Sequence, residues 1–263
     1  METQTLPHLL PVEIITAIVR SLNYDFNTLA AVALVNKAFC EEARRLLYRT
    51  VGYPSVTNVR AHSFALTINP GLATYVHTHI VEDNPFGYTA ECSPSCSALC
   101  PGPALDAMVN LKSLTLDIIS RRLPDNILQG SRFQLTTFSW FQCRWNSETL
   151  QQFLKNQTKI RKLEIGLHQE EGSGALLLPI CEDLQFLRGT TNVVKAALPG
   201  SRVTILIWVP WEEYNDQLDL NPMSDELSRI KAISFLSTRD PNYLSAIATF
   251  FFKTLEYLEI FEV

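Results

Sequence analysis

The side chains best suited to chemistry fall in one stretch of the chain. Cys92, Cys96 and Cys100 recur at every fourth position, with His77 and His79 a short way upstream. Thiolate and imidazole are the ligands zinc prefers, yet a structural zinc site needs four of them, usually two close pairs. No second cysteine pair follows. His77 and His79 share one face of an expected strand, Tyr75 to Val81, but nothing in the spacing brings them to the loop. Free thiols are therefore the expected state, with no metal and no cofactor. Other catalytic arrangements are missing as well. Gly172-x-Gly174 lacks the lysine and the strand-to-helix setting of a phosphate-binding loop. There is no Gly-x-Ser-x-Gly elbow and no RING-type ladder of cysteines. The expectation is a chain without catalysis of its own.

The elements around these residues follow from composition and periodicity. With 263 residues, 46% hydrophobic and 19% charged, the chain has the make-up of a soluble globular protein. A chain of this length buries about three quarters of the surface its unfolded form exposes, so it needs neither disulfides nor metal to fold. Its six cysteines accordingly read as reduced, which fits an intracellular setting in the cytoplasm, the nucleus or both. The net charge of −5 gives no broad basic field for nucleic acid. The first ten residues, METQTLPHLL, lack the pattern of a secretory leader, and no apolar run reaches the length of a membrane span.

Residues 9–51 hold three short helical patterns. The first starts after Leu10 with Pro11 near its first helical position, where a missing N–H is harmless. Ile14, Ile15, Ile18, Val19 and Leu22 form its stripe. A second helix, starting near Thr28 with Thr28 or Asn27 as cap, carries Leu29, Val32, Ala33 and Val35. A third, from Lys37 to Tyr48, carries Phe39, Ala43, Leu46 and Leu47, with Arg44 and Arg45 late, where they suit the helix dipole. Helices this short cannot bury all of these residues among themselves. The surplus packs either on the rest of this chain or on a partner.

In order and spacing, Leu10-Pro11-x-Glu13-Ile14-Ile15, then Ile18, Leu22, Leu29, Val32, Val35-Asn36-Lys37-x-Phe39, Ala43 and Leu47-Tyr48 resemble the F-box motif. Asn36 stands where that motif usually has Cys, and Tyr48 where it usually has Trp. The resemblance covers residues 5–51. It implies docking to a Skp-type linker protein and, through it, to a cullin–RING ubiquitin ligase. Leu10, Pro11, Ile14, Ile15, Ile18, Leu29 and Val32 would carry that contact.

Downstream, an apolar-x-x-apolar-x-apolar pattern recurs: Leu111/Leu114/Leu116, Leu135/Phe138/Trp140, Ile160/Leu163/Ile165, Leu184/Leu187 with Gly189 in the third slot, Val203/Leu206/Trp208, Ile230/Ile233/Phe235 and Leu255/Leu258/Ile260. Their starts, from Leu111 to Leu255, lie 24, 25, 24, 19, 27 and 25 residues apart. This is close to the period of leucine-rich repeats, and the stretch resembles the irregular repeats that follow many F-boxes, although the consensus Asn is missing. Helices are expected from Ser147 and from Asp240-Pro241. The expected class is thus α/β: a three-helix F-box followed by a short irregular leucine-rich-repeat solenoid. Its parts are the F-box (5–51), a connector and first irregular repeat (52–82), a Pro/Cys-rich loop (83–104) and irregular repeats (105–263). An ordinary α/β domain whose strands share the apolar pattern is the alternative.

Side chains between the apolar slots face the other way on each strand. They are polar early on (Ser113, Thr115, Asp117, Thr137, Ser139, Lys162, Glu164) and apolar later. Val203 to Val209 is apolar on both faces and should be covered on both. Phe141, Ile207, Val209, Leu236 and Phe261 are candidates for a patch that binds an unknown protein substrate, with Trp211 at the rim. Pro210 to Pro222 folding over the strand is the competing explanation. The functional expectation is a substrate-recognition adaptor of a Skp–cullin–F-box ligase, with no nucleic-acid or membrane partner. A protein-binding scaffold outside any ligase is the second reading.

Overall fold

The computed structural model describes residues 10–22, 25–52, 65–82, 102–117, 127–141, 147–166, 178–179, 181–209, 221–237 and 254–262. Its first elements are helices α1 (Val12–Ser21), α2 (Phe26–Val32) and α3 (Lys37–Leu47). Each start has a local cause. Pro11 precedes α1, and its carbonyl accepts the amides of Ile14 and Ile15 at 3.0 and 3.2 Å. The cap of α2 is Asp25 rather than the expected Thr28 or Asn27. The Asp25 carboxylate accepts the Thr28 amide at 3.0 Å and the Thr28 hydroxyl at 2.6 Å. Those bonds favour the ionised acid and lower its pKa. Asn36, at the position where the resemblance departs from Cys, caps α3 by accepting the Phe39 amide at 3.1 Å. Ile15, Val19, Leu29 and Ala43 make a small core of their own, packed by Leu22, Val32, Ala33, Phe39, Leu46 and Leu47.

The rest is built on one nine-stranded sheet whose strands lie in sequence order, every neighbouring pair parallel. The strands are β1 (Thr50–Val51), β2 (Thr78–Glu82), β3 (Ser113–Asp117), β4 (Thr137–Phe141), β5 (Lys162–Gly166), β6 (Phe186–Gly189), β7 (Ile205–Trp208), β8 (Ala232–Ser237) and β9 (Tyr257–Glu262). The register aligns like with like. Leu114, Phe138, Leu163, Leu187, Leu206 and Ile233 form one inward row, and Leu116, Trp140, Ile165, Gly189, Trp208 and Phe235 the next. All of these side chains are buried. Helices α4 (Pro70–Ala73), α5 (Gly102–Ala107), α6 (Ser147–Lys155), α7 (Thr191–Ala197) and α8 (Ser224–Leu227) come between strands. Their Ala73, Leu105, Phe153, Val194 and Leu227 join the inward rows in one continuous core. Phe153 brings its ring to 5.4 Å from Phe138. Below the sheet, buried Gln157 closes a turn by accepting the Leu135 amide at 2.8 Å and donating to the Phe133 carbonyl at 3.2 Å.

The expected fold class needs correction. The structure shows an α/β fold with an all-parallel sheet, and not the expected short leucine-rich-repeat solenoid behind a separate F-box. The sheet begins earlier than that division allows. Thr50 and Val51, at the end of the 5–51 segment, already pair with Thr78 and His79. The 52–82 segment supplies a full strand, and α5 begins inside the expected 83–104 loop. Among the described residues the connecting helices run from four residues (Pro70–Ala73) to nine (Ser147–Lys155), and they share one core with the strands. Apolar spacing reports inward strand positions, which any parallel sheet buried on that face must have, so the spacing alone does not select a repeat architecture. The helix expected from Asp240-Pro241 lies outside the described residues.

Two core positions break the apolar rule. At Gly189 an added Cβ would overlap the Val193 side chain of α7, so the missing side chain is what lets the helix sit close to the strand. In β2, His79 occupies the row held elsewhere by leucine, phenylalanine or isoleucine, and it is 1% exposed. Its Nδ1 lies 3.3 Å from the Val51 carbonyl oxygen, and Nε2 meets no partner among the described residues. Burial lowers its pKa from 6.5 to about 4, since a charged imidazole there would lose its hydration. The unfolded chain therefore takes up this proton first. Stability on this account is complete above pH 6.5 and falls as the pH drops toward 4, by roughly 3 kcal/mol at 1.4 kcal/mol per tenfold in proton affinity. Urea unfolding at stepped pH should show that decline, and His79→Leu should flatten it; a slope unchanged by the substitution would show that His79 is not the group responsible.

Candidate functional site

Helix α1 carries two apolar faces. Ile15 and Val19, four residues apart, point into the small core. Ile14 and Ile18, also four apart, form the adjacent stripe and are 48% and 41% exposed. Leu10 and Pro11 just ahead of the helix and Val12 at its start are exposed too, as are Phe26, Leu34 and Val35 in and after α2. Large aliphatic side chains each gain about 1.5–3 kcal/mol when fully buried. A contiguous set left in water is a mark of a docking surface.

The residues expected to meet a linker protein therefore divide. Leu10, Pro11, Ile14 and Ile18 are exposed, and Val32 is half-buried against the small core. Ile15 and Leu29 are not available to a partner, because at 5% and 1% exposure they are the core itself. Helical spacing alone does not separate the two faces, since Ile14 and Ile15 both lie on a broad apolar arc.

The outward face of the sheet is the second surface. Its middle carries a charged and aromatic cluster. The Ser139 hydroxyl donates to the Glu164 carboxylate at 2.5 Å, and Lys162 Nζ lies 3.5 Å from the same carboxylate. Lys162 also sits 4.7 Å from the centroid of the Phe186 ring, and the Arg188 guanidinium 5.0 Å from that of Phe141. Gly166 makes the second contact possible. It faces Phe141 across the β4–β5 pair, and a Cβ there would stand 2.9 Å from Phe141 Cδ1. The bare glycine lets the ring reach over β5 toward β6. At the early end of this face Glu82 pairs in register with Asp117. Partial desolvation, and then the Asp117 charge, raise the Glu82 pKa.

Among the expected substrate-patch residues, Phe141, Ile207 and Val209 are half-buried and Phe261 is 45% exposed. Leu236 lies on β8, in register with Phe261. Ile207 is two strands from β5 and does not meet Phe141, so these residues make a band across the face and not one pocket. The apolar strand is Ile205–Trp208. Leu206 and Trp208 are buried on one side, and Ile205 is 43% exposed on the other. Trp211 and the rest of 210–220 lie outside the described residues, as do Cys92, Cys96, Cys100 and Cys143. His77 is exposed with Nδ1 2.8 Å from the Tyr75 carbonyl oxygen, while His79 is in the core. The two histidines thus do not share a surface. Among the described residues no group of potential ligands could hold a metal ion, and Cys40 and Cys181 are free thiols.

Arg188 had gone unmarked in the sequence because its strand belongs to the weakest triplet. Placing Leu187 in the inward row was enough to turn its neighbour outward. Comparison with protein-family models finds no match, and comparison with curated proteins finds no significantly similar sequence. No helix among the described residues is long and apolar enough to cross a membrane.

The division of α1 has a direct test. The double substitution Ile14→Asp/Ile18→Asp should leave the thermal midpoint within about 3 °C, as surface changes do. Ile15→Asp buries a carboxylate and should unfold the helical module or lower stability by more than about 3 kcal/mol. Circular dichroism melts compare the two.

Proposed function

We propose that this chain is a substrate-recognition adaptor of a Skp–cullin–F-box type ubiquitin ligase, acting in the cytoplasm or nucleus and performing no chemistry itself. The three-helix module docks a Skp-type linker protein, and the outward face of the sheet receives the target. One observation carries the reading. Of the exposed residues of the F-box resemblance, Ile14 and Ile18 share one face of α1 and Leu10 and Pro11 lead into it, while the same helix turns Ile15 and Val19 inward. A helix with two apolar faces and its own small core has the form of a module that packs into a partner's groove.

The outward sheet face supports the second half of the reading. It joins charge-assisted polar groups near Glu164 and Arg188 to exposed aliphatic and aromatic residues, Ile205, Tyr257 and Phe261. Apolar anchors within a polar rim are what protein interfaces combine.

Co-expression with a Skp-type linker tests the docking half. The wild-type chain should co-purify with it in equal amounts, Ile14→Asp/Ile18→Asp should weaken the complex at least about tenfold, and Ile207→Asp on the sheet should leave it intact. Full binding by the α1 double variant would remove the adaptor assignment. A linker complex that excludes the cullin would instead favour a scaffold outside the ligase.

A further inference from the structure

The strands all start on one rim, and that rim is divided by charge. A single row of residues precedes the strands. The Arg49 carbonyl accepts the amides of His77 and Thr78, the His77 carbonyl those of Lys112 and Ser113, the Lys112 carbonyl those of Thr136 and Thr137, and the Thr136 carbonyl those of Arg161 and Lys162. The row goes on through Gln185, Thr204 and Lys231 to Glu256. Adjacent strands are about 4.8 Å apart, so Arg49 and Arg161 lie roughly 19 Å apart along the rim.

On the half beneath β6–β9 charge is largely compensated, although Arg202, exposed ahead of β7, makes no ion pair among the described residues. Glu182 and Asp183 precede β6, Arg229 pairs with Glu226 at 3.6 Å, and Lys231 pairs with Glu256 at 3.1 Å. The half beneath β1–β5 differs. Arg49, Lys112 and Arg161 of the row are exposed, and so are Arg132 and Lys159 just ahead of it and Lys155 in the last turn of α6. None of them has an ion-pair partner among the described residues. The turns leading into these strands, 74–77, 108–112, 130–136 and 156–161, contain no carboxylate. Of the acids near these cations in sequence, Asp106, exposed in the last turn of α5, makes no ion pair with the rim, and Glu164, three residues after Arg161, contacts Lys162 and Ser139 instead. A chain of net charge −5 thus gathers on one edge six exposed cations, Arg49, Lys112, Arg132, Lys155, Lys159 and Arg161, that make no ion pair among the described residues.

We infer that the strand-start rim beneath β1–β5 is a binding site for an extended, carboxylate-rich segment of a partner protein. Side chains on one side of an extended peptide recur about every 6.8 Å, a spacing that long, flexible Lys and Arg side chains can follow along the row. Exposed cations facing an acidic segment steer its approach and fix its register more than they tighten it. A nucleic acid fits less well. Single strands need aromatic platforms, and here Tyr48 and Tyr75 are half-buried and Phe133 is buried. The negative total charge also opposes a dense phosphate backbone. This site lies on the edge of the sheet and is independent of the adaptor reading.

The test uses the full chain and a fluorescein-labelled ten-residue polyglutamate, followed by anisotropy at about 50 mM salt, where screening is weak. Saturable binding that weakens as salt is added is expected. Lys112→Glu/Arg161→Glu should lower affinity at least about tenfold, the neutral pair Lys112→Gln/Arg161→Gln should lower it less, and Lys231→Glu on the compensated half should change it under about twofold. All of these positions are exposed, and matching melts confirm that the variants fold. Three results would overturn the inference: no saturable binding, equal losses from Lys231→Glu and Lys112→Glu/Arg161→Glu, or tighter binding of a ten-nucleotide oligothymidine than of the peptide.

Discussion

Register holds this protein together. At the start of every strand from β2 onward, one carbonyl of the preceding strand-start row accepts two successive amides, from Arg49 through Lys231. A parallel sheet with this alignment has one choice of face for each side chain, and slipping by a single residue would turn every inward row outward. Because the rows are fixed, Phe138 stacks beside Leu114 and Leu163, and the helices find a continuous apolar floor. The polar staples below, such as Gln157 bridging Leu135 and Phe133, satisfy backbone groups that would otherwise be stranded in the core. The outward cluster inherits its geometry from the same alignment: Gly166, in register with Phe141, leaves room for the ring that Arg188 faces.

Much of this was legible in the sequence, for physical reasons that can be named. Leu114/Leu116, Phe138/Trp140 and Leu163/Ile165 alternate inward because a strand buried on one face requires it. The α1 stripe and the late arginines of α3 follow from helical spacing and the helix dipole. What stayed hidden was settled by tertiary contacts. Strands were expected at both β2 and β6, but not that His79 would fill an apolar slot of the first or that Gly189 would make room for Val193 in the second. Asp25 rather than Thr28 caps α2, a choice between neighbouring cap formers that composition does not make. The architecture behind α3 was misjudged because a regular apolar period is shared by every fold that stacks parallel strands. For the candidate site, helical spacing indicated which residues are apolar on α1. It did not say that Ile14 faces water and Ile15 the core, because that depends on where α3 lies.

The two surfaces are supported differently. On the helical module, a few side chains of Ile15, Val19, Leu29 and Ala43 form all of the fully buried core, so almost every exposed apolar group lies close to the structure's own interior. On the sheet, the outward groups rest on a floor of buried leucines and aromatics, among them Trp140 and Trp208. Replacing a side chain there leaves the floor in place. The fold thus sets a sheet with a large buried floor beside a helical module with a small core of its own.

The order of the strands also bears on how the chain is made. From β2 onward, each described strand pairs with the one synthesised just before it. Contacts between near neighbours in sequence carry a small loop-closure penalty and form quickly compared with distant pairings. A nascent chain leaving the ribosome at about 5–20 residues per second can therefore lay each new strand onto a completed edge. At every stage the growing molecule exposes one unfinished edge, with the buried layer behind it already closed.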